Sequence, residues 1–212
     1  MSEQTSSGQD MLAKSVREFV AAAAAKTPTP GGGSVAGVVG ALGVALGEMA
    51  LNFTRGKKKY AQHEAFHEHL GQRLEKARQM FLDLVGDDMA AYNLYQETAK
   101  QPQGPQRDAA LQVAVSAAIS VPREMTKLSL AVLEDLLSLA DKCNPWLISD
   151  LAAAAALAAA TVRLCDYNVR INVPQVSDPQ AAQMLRQFSR DDLARANQLL
   201  DEIEKVASEH LK

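Results

Sequence analysis

The chain has 212 residues, a formal net charge of −3, and 47% hydrophobic but only 5% aromatic residues. This length suits one domain with a continuous core, and the balanced charge excludes the global basic field typical of nucleic-acid-binding proteins. No alternating run of β-branched residues predicts a strand. The abundant alanine favours closely packed helices, so the predicted fold class is all-α, a single-domain bundle of long antiparallel helices.

Two predicted helices flank a segment rich in proline and glycine. An amphipathic helix is predicted over residues 9–25, and Pro28 and Pro30 end it, because proline donates no backbone hydrogen bond. An apolar helix is predicted over residues 34–53, with Ser34 as its N-cap. Its glycines recur at three- or four-residue steps. Since glycine inside a helix costs about 1 kcal/mol relative to alanine, the stripe predicts close approach by another helix.

The remaining sequence predicts long helices separated by short loops. The first runs from Tyr60 to Gly86, and the second continues from there to Lys100. The third, fourth and fifth cover residues 106–142, 149–169 and 178–211. The third of these is kinked or restarted at Pro122, and the fourth is small and apolar on nearly all sides, as a central helix would be. No repeat or linker divides the chain, so residues 1–212 are predicted as one helical domain.

From the sequence we expect no signal for export or for membrane insertion. Its start is polar, and the apolar stretches near residues 35–50 and 151–162 are too short or too interrupted to predict a membrane span. Cys143 and Cys165 lack both metal-ligand spacing and a disulfide framework. We therefore expect a soluble cytoplasmic protein.

The first candidate site is the run Gly31, Gly32, Gly33 and Ser34 at the start of a predicted helix. Such a start presents unpaired N–H groups and a positive dipole end to an anion or a planar ring. The run is neither a Walker A motif nor a dinucleotide fingerprint. A tight turn followed by close helix packing explains the same residues without a ligand.

A second candidate is the cationic segment of Arg55, Lys57, Lys58, Lys59 and Tyr60. Clustered cations attract an acidic substrate, and the tyrosine ring offers a face for stacking. The alternative is a solvated charge run beside a core tyrosine.

The segment from His63 to His67 matches the HExxH pattern of zinc peptidases. Its surroundings are rich in Gln, Glu and His, as an exposed helix face would be, and no further ligand follows at a suitable spacing. We expect an accidental polar face and no metal site.

Asp87 and Asp88 are adjacent, so on a helix their side chains diverge by about 100°. One of them can point into a cleft as an acid or base. Alternatively, both are acidic residues in the first turn of a resumed helix.

Polar residues also mark both ends of the alanine-rich helix. Ser149 and Asp150 are explained by an N-cap and a first-turn acid. Asn168 and Asn172 share a face beside the guanidinium of Arg170, and polar groups on an apolar helix need partners. We expect this end to lie at a substrate or subunit interface.

Taken together, these segments resemble the formiminotransferase-cyclodeaminase C-terminal family, which includes stand-alone methenyltetrahydrofolate cyclohydrolases. The segments occur in family order across most of the chain. They are Thr29-Pro30-Gly31-Gly32-Gly33-Ser34, Asn52-Phe53-Thr54-Arg55-Gly56-Lys57-Lys58-Lys59-Tyr60, Asp87-Asp88 with Tyr92, Val121-Pro122, Asn144-Pro145, Ser149-Asp150 and Asn168-Val169-Arg170-Ile171-Asn172. Arg123 and the residues from Lys142 to Leu147 depart from the family pattern, which affects one pocket wall.

The resemblance implies a dimeric, all-α enzyme of tetrahydrofolate one-carbon chemistry, acting as a cyclohydrolase, a cyclodeaminase or both. It implies Asp87 or Asp88 and a lysine, Lys58 or Lys59, for proton transfer. Substrate binding is implied for the glycine run with Ser34, and for Arg55, Lys57, Tyr60, Ser149, Asp150, Asn168, Arg170 and Asn172. No metal or redox cofactor is implied, because the folate itself is the substrate.

Two other functional classes remain as alternatives. One is a helical folate-binding or scaffold protein without turnover, and the other, more remote, is an HExxH zinc hydrolase. The two helices with small residues on nearly all sides predict a symmetric homodimer, because one layer of neighbours does not bury both. Neither a nucleic acid nor a membrane is an expected partner.

Overall fold

Six α-helices build the described part of the chain, residues 11–210, in a computed structural model. They are α1 (Val16–Ala24), α2 (Gly32–Asn52), α3 (Glu64–Ala99), α4 (Pro105–Ala140), α5 (Ile148–Asn172) and α6 (Pro179–His210). Short 3₁₀ turns cover Lys58–His63, Pro145–Leu147 and Val173–Gln175. No strand occurs within residues 11–210, and the predicted all-α class is confirmed.

The antiparallel pair α2 and α5 forms the centre of the bundle, with α3 packed on α2, α4 on α3 and α5, and α6 on α4 and α5. Gly32 lies beside Asn168 near the end of α5, whereas Gly43 lies on the backbone near its start, where an added Cβ would be 3.1 Å from the Ala154 carbonyl oxygen. The predicted close approach of another backbone is therefore confirmed at Gly43, whereas side chains of α3 and α4 approach Gly33, Gly40 and Gly47.

Three predicted helix features are wrong, each because tertiary contacts override a local signal. Helix α2 begins at Gly32 with Gly31 as its N-cap, so Ser34 lies inside the helix and its side chain bonds another helix instead of capping. Helix α5 begins at Ile148, and Ser149 makes no cap. Helix α3 continues through Gly86 without a pause, because Val85 before it and Met89 after it are held in the core.

Pro122 lies inside α4, which is one helix from end to end. At the N-terminus, α1 is shorter than predicted and buries none of its nine residues. Residues 9 and 10 of that predicted helix lie outside the described part of the chain.

By length and composition, α2 and the segment Pro145–Gln175 are each long and apolar enough to cross a membrane. This corrects the expectation that both stretches are too short. Core helices of soluble proteins pass the same test, and the most apolar windows of these two are 56% and 44% buried within the fold.

Candidate active site

The centre of the candidate site is a contact between the first turn of α2 and the middle of α3. Ser34 is fully buried, and its Oγ donates a hydrogen bond to Oδ2 of Asp88 at 2.8 Å. The backbone of Gly33 lies directly against the same carboxylate, and an added Cβ at this position would collide with its oxygens. Glycine at position 33 therefore lets the carboxylate reach the start of α2.

Burial raises the pKa of the Asp88 carboxyl above its ordinary value, and hydrogen bonds from the Ser34 side chain and backbone only partly oppose this. A carboxyl that holds its proton more readily is better suited to act as an acid or base. Among the predicted acids, Asp88 therefore has the environment of an acid–base group.

The raised pKa also predicts a pH-dependent stability difference. The folded state binds the proton of Asp88 more tightly than the unfolded state, whose reference pKa is 3.8. The free energy of unfolding therefore falls as the pH rises through the folded-state pKa of Asp88. Asp88→Asn retains an acceptor for Ser34 and removes this penalty. We expect its free energy of unfolding to exceed that of the wild type at pH 7 and the excess to vanish below about pH 4. Urea unfolding at both pH values measures it, and an equal excess at both would contradict it.

Asp87 points away from Asp88, as the helical geometry predicts. It is exposed and lines the groove between α3 and α4, together with Arg123 and Lys127. Asp87 does not share the Ser34 contact, so of the two predicted acids we expect Asp88, and not Asp87, to transfer protons.

The two asparagines of α5 do lie at this end of the bundle. The Asn168 side chain is next to Gly32, 3.6 Å from an added Cβ, and its Nδ2 donates to the Leu164 carbonyl at 2.8 Å. Asn172 Nδ2 donates to the Asn168 carbonyl at 2.8 Å. Gly31, Gly32, Gly33, Ser34, Asp88, Asn168 and Asn172 thus form one group, which we call the acid end.

Arg170 does not join the acid end, because it lies about 200° around α5 from Asn168. Its Nη1 donates to Oδ2 of Asp166 at 3.4 Å, and it faces α6. The homodimer predicted from the sequence implies that Asn168, Arg170 and the glycine run come together from different subunits. Gly32 and Asn168 instead meet within one chain.

The predicted cations lie at the other end of α2. Lys57, Lys58 and Lys59 are exposed, and Arg55 leans against Gly71 of α3. Tyr60 is buried, with Lys59 Nζ 5.4 Å from its ring centroid, so it is the core tyrosine of the alternative interpretation and offers no open stacking face.

Ser149 and Asp150 belong to the same end as these cations. The backbone N–H of Asn144, just before α5, donates to Thr54 Oγ1 at 2.9 Å and ties the start of α5 to the end of α2. Arg55, Lys57, Lys58, Lys59, Tyr60, Ser149 and Asp150 form the second group, the cationic end. Because α2 has 21 residues, about 30 Å separates this end from the acid end in one chain.

Sequence reasoning passed over the aromatic side chains at the cationic end. Trp146, the only tryptophan in the sequence, is 89% exposed, and Phe53 is exposed as well. A lone tryptophan directly after Asn144-Pro145 was the available signal.

Neither cysteine is a candidate nucleophile, because burial raises the pKa of Cys143 to about 11 and of Cys165 to about 12.

The HExxH segment does not build a zinc site within residues 11–210, where no cluster of three suitable ligands occurs. His67 is fully buried, with its Nε2 3.1 Å from the Lys142 carbonyl oxygen. Glu64 Oε2 accepts from the Gly56 backbone N–H at 3.3 Å. These groups connect α3 to neighbouring loops.

Comparison with known proteins relates this chain to one family. The formiminotransferase-cyclodeaminase family model matches residues 15–191. The methenyltetrahydrofolate cyclohydrolase of Methylorubrum extorquens is 31% identical over 196 residues, which cover 89% of this chain and 90% of that protein. The formimidoyltransferase-cyclodeaminase of Dictyostelium discoideum is 30% identical over 94% of this chain, which spans only 37% of that protein.

A solved structure agrees with the sequence comparison. The formiminotetrahydrofolate cyclodeaminase of Thermotoga maritima is 32% identical, with a TM-score of 0.84, over 94% of this chain and 98% of that chain. Sequence and fold therefore agree over most of the length, and the chain belongs to the formiminotransferase-cyclodeaminase family.

Proposed function

We propose that the chain is a tetrahydrofolate one-carbon enzyme, a methenyltetrahydrofolate cyclohydrolase, a formiminotetrahydrofolate cyclodeaminase or both. The observation that carries this proposal is the environment of the Asp88 carboxyl. It accepts a hydrogen bond from Ser34 at the start of α2, and its pKa is raised. The family membership supplies the substrate class, because its named relatives include both activities. The proposal includes a cytoplasmic location and a folate substrate, without a metal or redox cofactor.

Both reactions need a proton carrier beside one carbon atom. In the cyclohydrolase reaction, water adds to the methenyl carbon between N5 and N10 and loses a proton. The hydroxyl group of this adduct then loses its proton to become the formyl carbonyl, the bond from the carbon to N5 breaks, N5 takes a proton, and 10-formyl-tetrahydrofolate results. In the cyclodeaminase reaction, N10 attacks the formimino carbon and loses its proton. The nitrogen of the former imine takes up protons and leaves as ammonia, and 5,10-methenyl-tetrahydrofolate remains. On this proposal Asp88 accepts and returns these protons.

The proposal also includes a homodimer, because the acid and cationic ends are too far apart to share one folate within a chain. Helix α2 carries an apolar stripe that the rest of the chain leaves half-buried or exposed, with Leu42 at its middle, 55% exposed. The neighbouring helix α5 carries a second stripe, in which Tyr167 is 55% and Ile171 72% exposed. A second copy that packs on both stripes would cover them and give a closed dimer with two-fold symmetry.

A two-fold axis across the middle of α2 reverses the direction of the partner helix. The cationic end of one protomer then lies beside the acid end of its partner, which would reunite the predicted site residues. On this proposal Asp88 transfers protons, and the lysines of the partner receive the anionic tail of the folate, polyglutamylated or not.

A paired assay tests the activity. Loss of absorbance of methenyl-tetrahydrofolate follows the cyclohydrolase reaction, and ammonia release from formimino-tetrahydrofolate follows the cyclodeaminase reaction. We expect turnover well above the uncatalysed rate with at least one substrate. Folate binding without turnover of either substrate would instead establish a binding or scaffold protein.

We predict a dimer in light scattering at micromolar concentration. Leu42→Asp should give a monomer, because it places an unpaired charge inside the proposed interface. Val113→Asp is the matched control, since Val113 is also exposed, at 64%, but lies on α4 outside both stripes. A monomeric wild type would refute the dimer, and equal behaviour of the two variants would refute this interface.

We predict that replacing Lys57, Lys58 and Lys59 by alanine raises KM by roughly 3–10-fold at low salt and less at high salt, since screening weakens the attraction of exposed charges. Lys76→Ala is the control. It removes an exposed charge on α3 and should leave KM unchanged. Initial rates at two ionic strengths measure the effect. A fall in kcat at constant KM would assign one of these lysines to chemistry, and unchanged kinetics would return the segment to a solvated face.

A further inference from the structure

A second charged cleft lies between α5 and α6, on the opposite side of α5 from Asn168. It has a volume of about 450 Å³, and three of its five lining residues are arginines. Its lining residues are Asp166, Arg170, Arg186, Arg190 and Leu193. None of the candidate catalytic residues contributes to it.

The single carboxylate in the cleft is already engaged. Asp166 is 4% exposed, and its Oδ1 accepts a hydrogen bond from Ser189 Oγ at 2.7 Å. Its Oδ2 accepts from Arg170 Nη1 at 3.4 Å. The cleft therefore has three arginines and one carboxylate, which is buried and hydrogen-bonded through both oxygens, so positive charge is left in excess.

The two arginines of α6 add to this excess. Arg186 and Arg190 are four residues apart on one helix face, a spacing at which like charges destabilise a helix. Arg190 Nη2 donates to the neutral side-chain oxygen of Gln187 at 2.6 Å, which does not compensate its charge. The fold thus holds like charges together across a cleft that could admit a counter-ion.

We infer that this cleft binds a small anion that carries two or more oxyanion groups, carboxylates or phosphates. Guanidinium groups recognise such groups through paired, charge-assisted hydrogen bonds, and three of them around one cleft match an anion of that kind. The volume lies in the range of small-molecule sites. The bound anion joins α5 to α6 and stabilises their packing. Arg170 is the one lining residue that the family resemblance implies for folate binding, and the cleft lies outside the acid end, so binding of an anion here can be tested without the proposed folate activity.

Calorimetric titration of the full chain tests the site in low-salt buffer free of phosphate. Inorganic pyrophosphate is the phosphate probe, and citrate is the carboxylate probe. We expect saturable binding of one anion per chain for at least one probe, and a raised Tm in its presence. Tighter binding of pyrophosphate identifies a phosphate ligand, and tighter binding of citrate identifies a polycarboxylate.

Matched variants separate a built site from general charge attraction. Arg186→Ala with Arg190→Ala should weaken binding by about tenfold or more, and Arg186→Lys with Arg190→Lys should also weaken it, because lysine cannot form the paired bonds. Arg163→Ala is the control, since Arg163 lies on the same α5–α6 seam but bonds Asn197. Absence of saturable binding of both probes at about 1 mM, full binding by the lysine variant, or an equal loss in the control would each overturn the inference.

Discussion

Asp88→Asn is expected to lower turnover by about 10²–10⁴-fold, the usual contribution of a general acid–base group. The asparagine amide has nearly the same shape as the carboxyl and can still accept the hydrogen bond from Ser34, but it cannot carry the proton. Because the change removes the penalty of a buried charge, the loss of turnover should come without a loss of stability. Single-turnover kinetics with saturating folate measure the chemical step separately from binding.

Asp87→Asn is the matched control for this prediction. The two residues are neighbours on α3 and lose the same charge, but Asp87 is exposed in the groove toward α4. We expect its turnover to stay within about threefold of the wild type, as for a surface charge away from the reacting atoms. If Asp88→Asn keeps wild-type turnover, or if Asp87→Asn loses as much, the assignment of Asp88 is wrong.

Gly40→Ala is expected to reduce the free energy of unfolding by about 1–2 kcal/mol, although alanine is the better helix former. An added Cβ at Gly40 would lie 2.6 Å from a ring carbon of Phe81, and that ring is 1% exposed, so neither partner can move without disturbing the core. Overpacking therefore outweighs the gain of about 1 kcal/mol from helix propensity. Denaturant unfolding measures the difference.

Gly71→Ala on α3 should have the opposite sign. An added Cβ at Gly71 meets the end of the flexible Arg55 side chain at 3.2 Å, which can move aside, so the gain in helix propensity remains. A double-mutant cycle identifies the cause at Gly40. In a Phe81→Leu background the cost of Gly40→Ala should shrink, and additive costs would exclude the Phe81 collision.

The fold was predictable because its signals are periodic and long. The α-helical class, the central apolar helices and the close approach at Gly40 and Gly43 follow from spacing and from the cost of glycine in a helix. The divergence of Asp87 and Asp88 follows from helical geometry alone. The family resemblance rested on short segments in order, and the comparisons confirm it.

Features that depend on another element were not predictable from local sequence. Ser34 has the sequence of an N-cap, but Asp88, 54 positions later, takes its hydroxyl. Tyr60 sits beside three exposed lysines and is nevertheless buried. The separation of the site residues into an acid end and a cationic end requires the antiparallel alignment of α2 and α5, which no motif carries.

The alignment of α2 with α5 also constrains the order in which the chain can fold during synthesis. Helix α3 follows α2 directly, but α5 leaves the ribosome about 100 residues later, which takes roughly 5–20 s at ordinary elongation rates. During that interval the glycine face that receives α5 has no partner, on a helix apolar enough to cross a membrane. Because an uncovered apolar helix associates readily with other apolar surfaces, slower elongation between the two helices should lower the yield of folded protein.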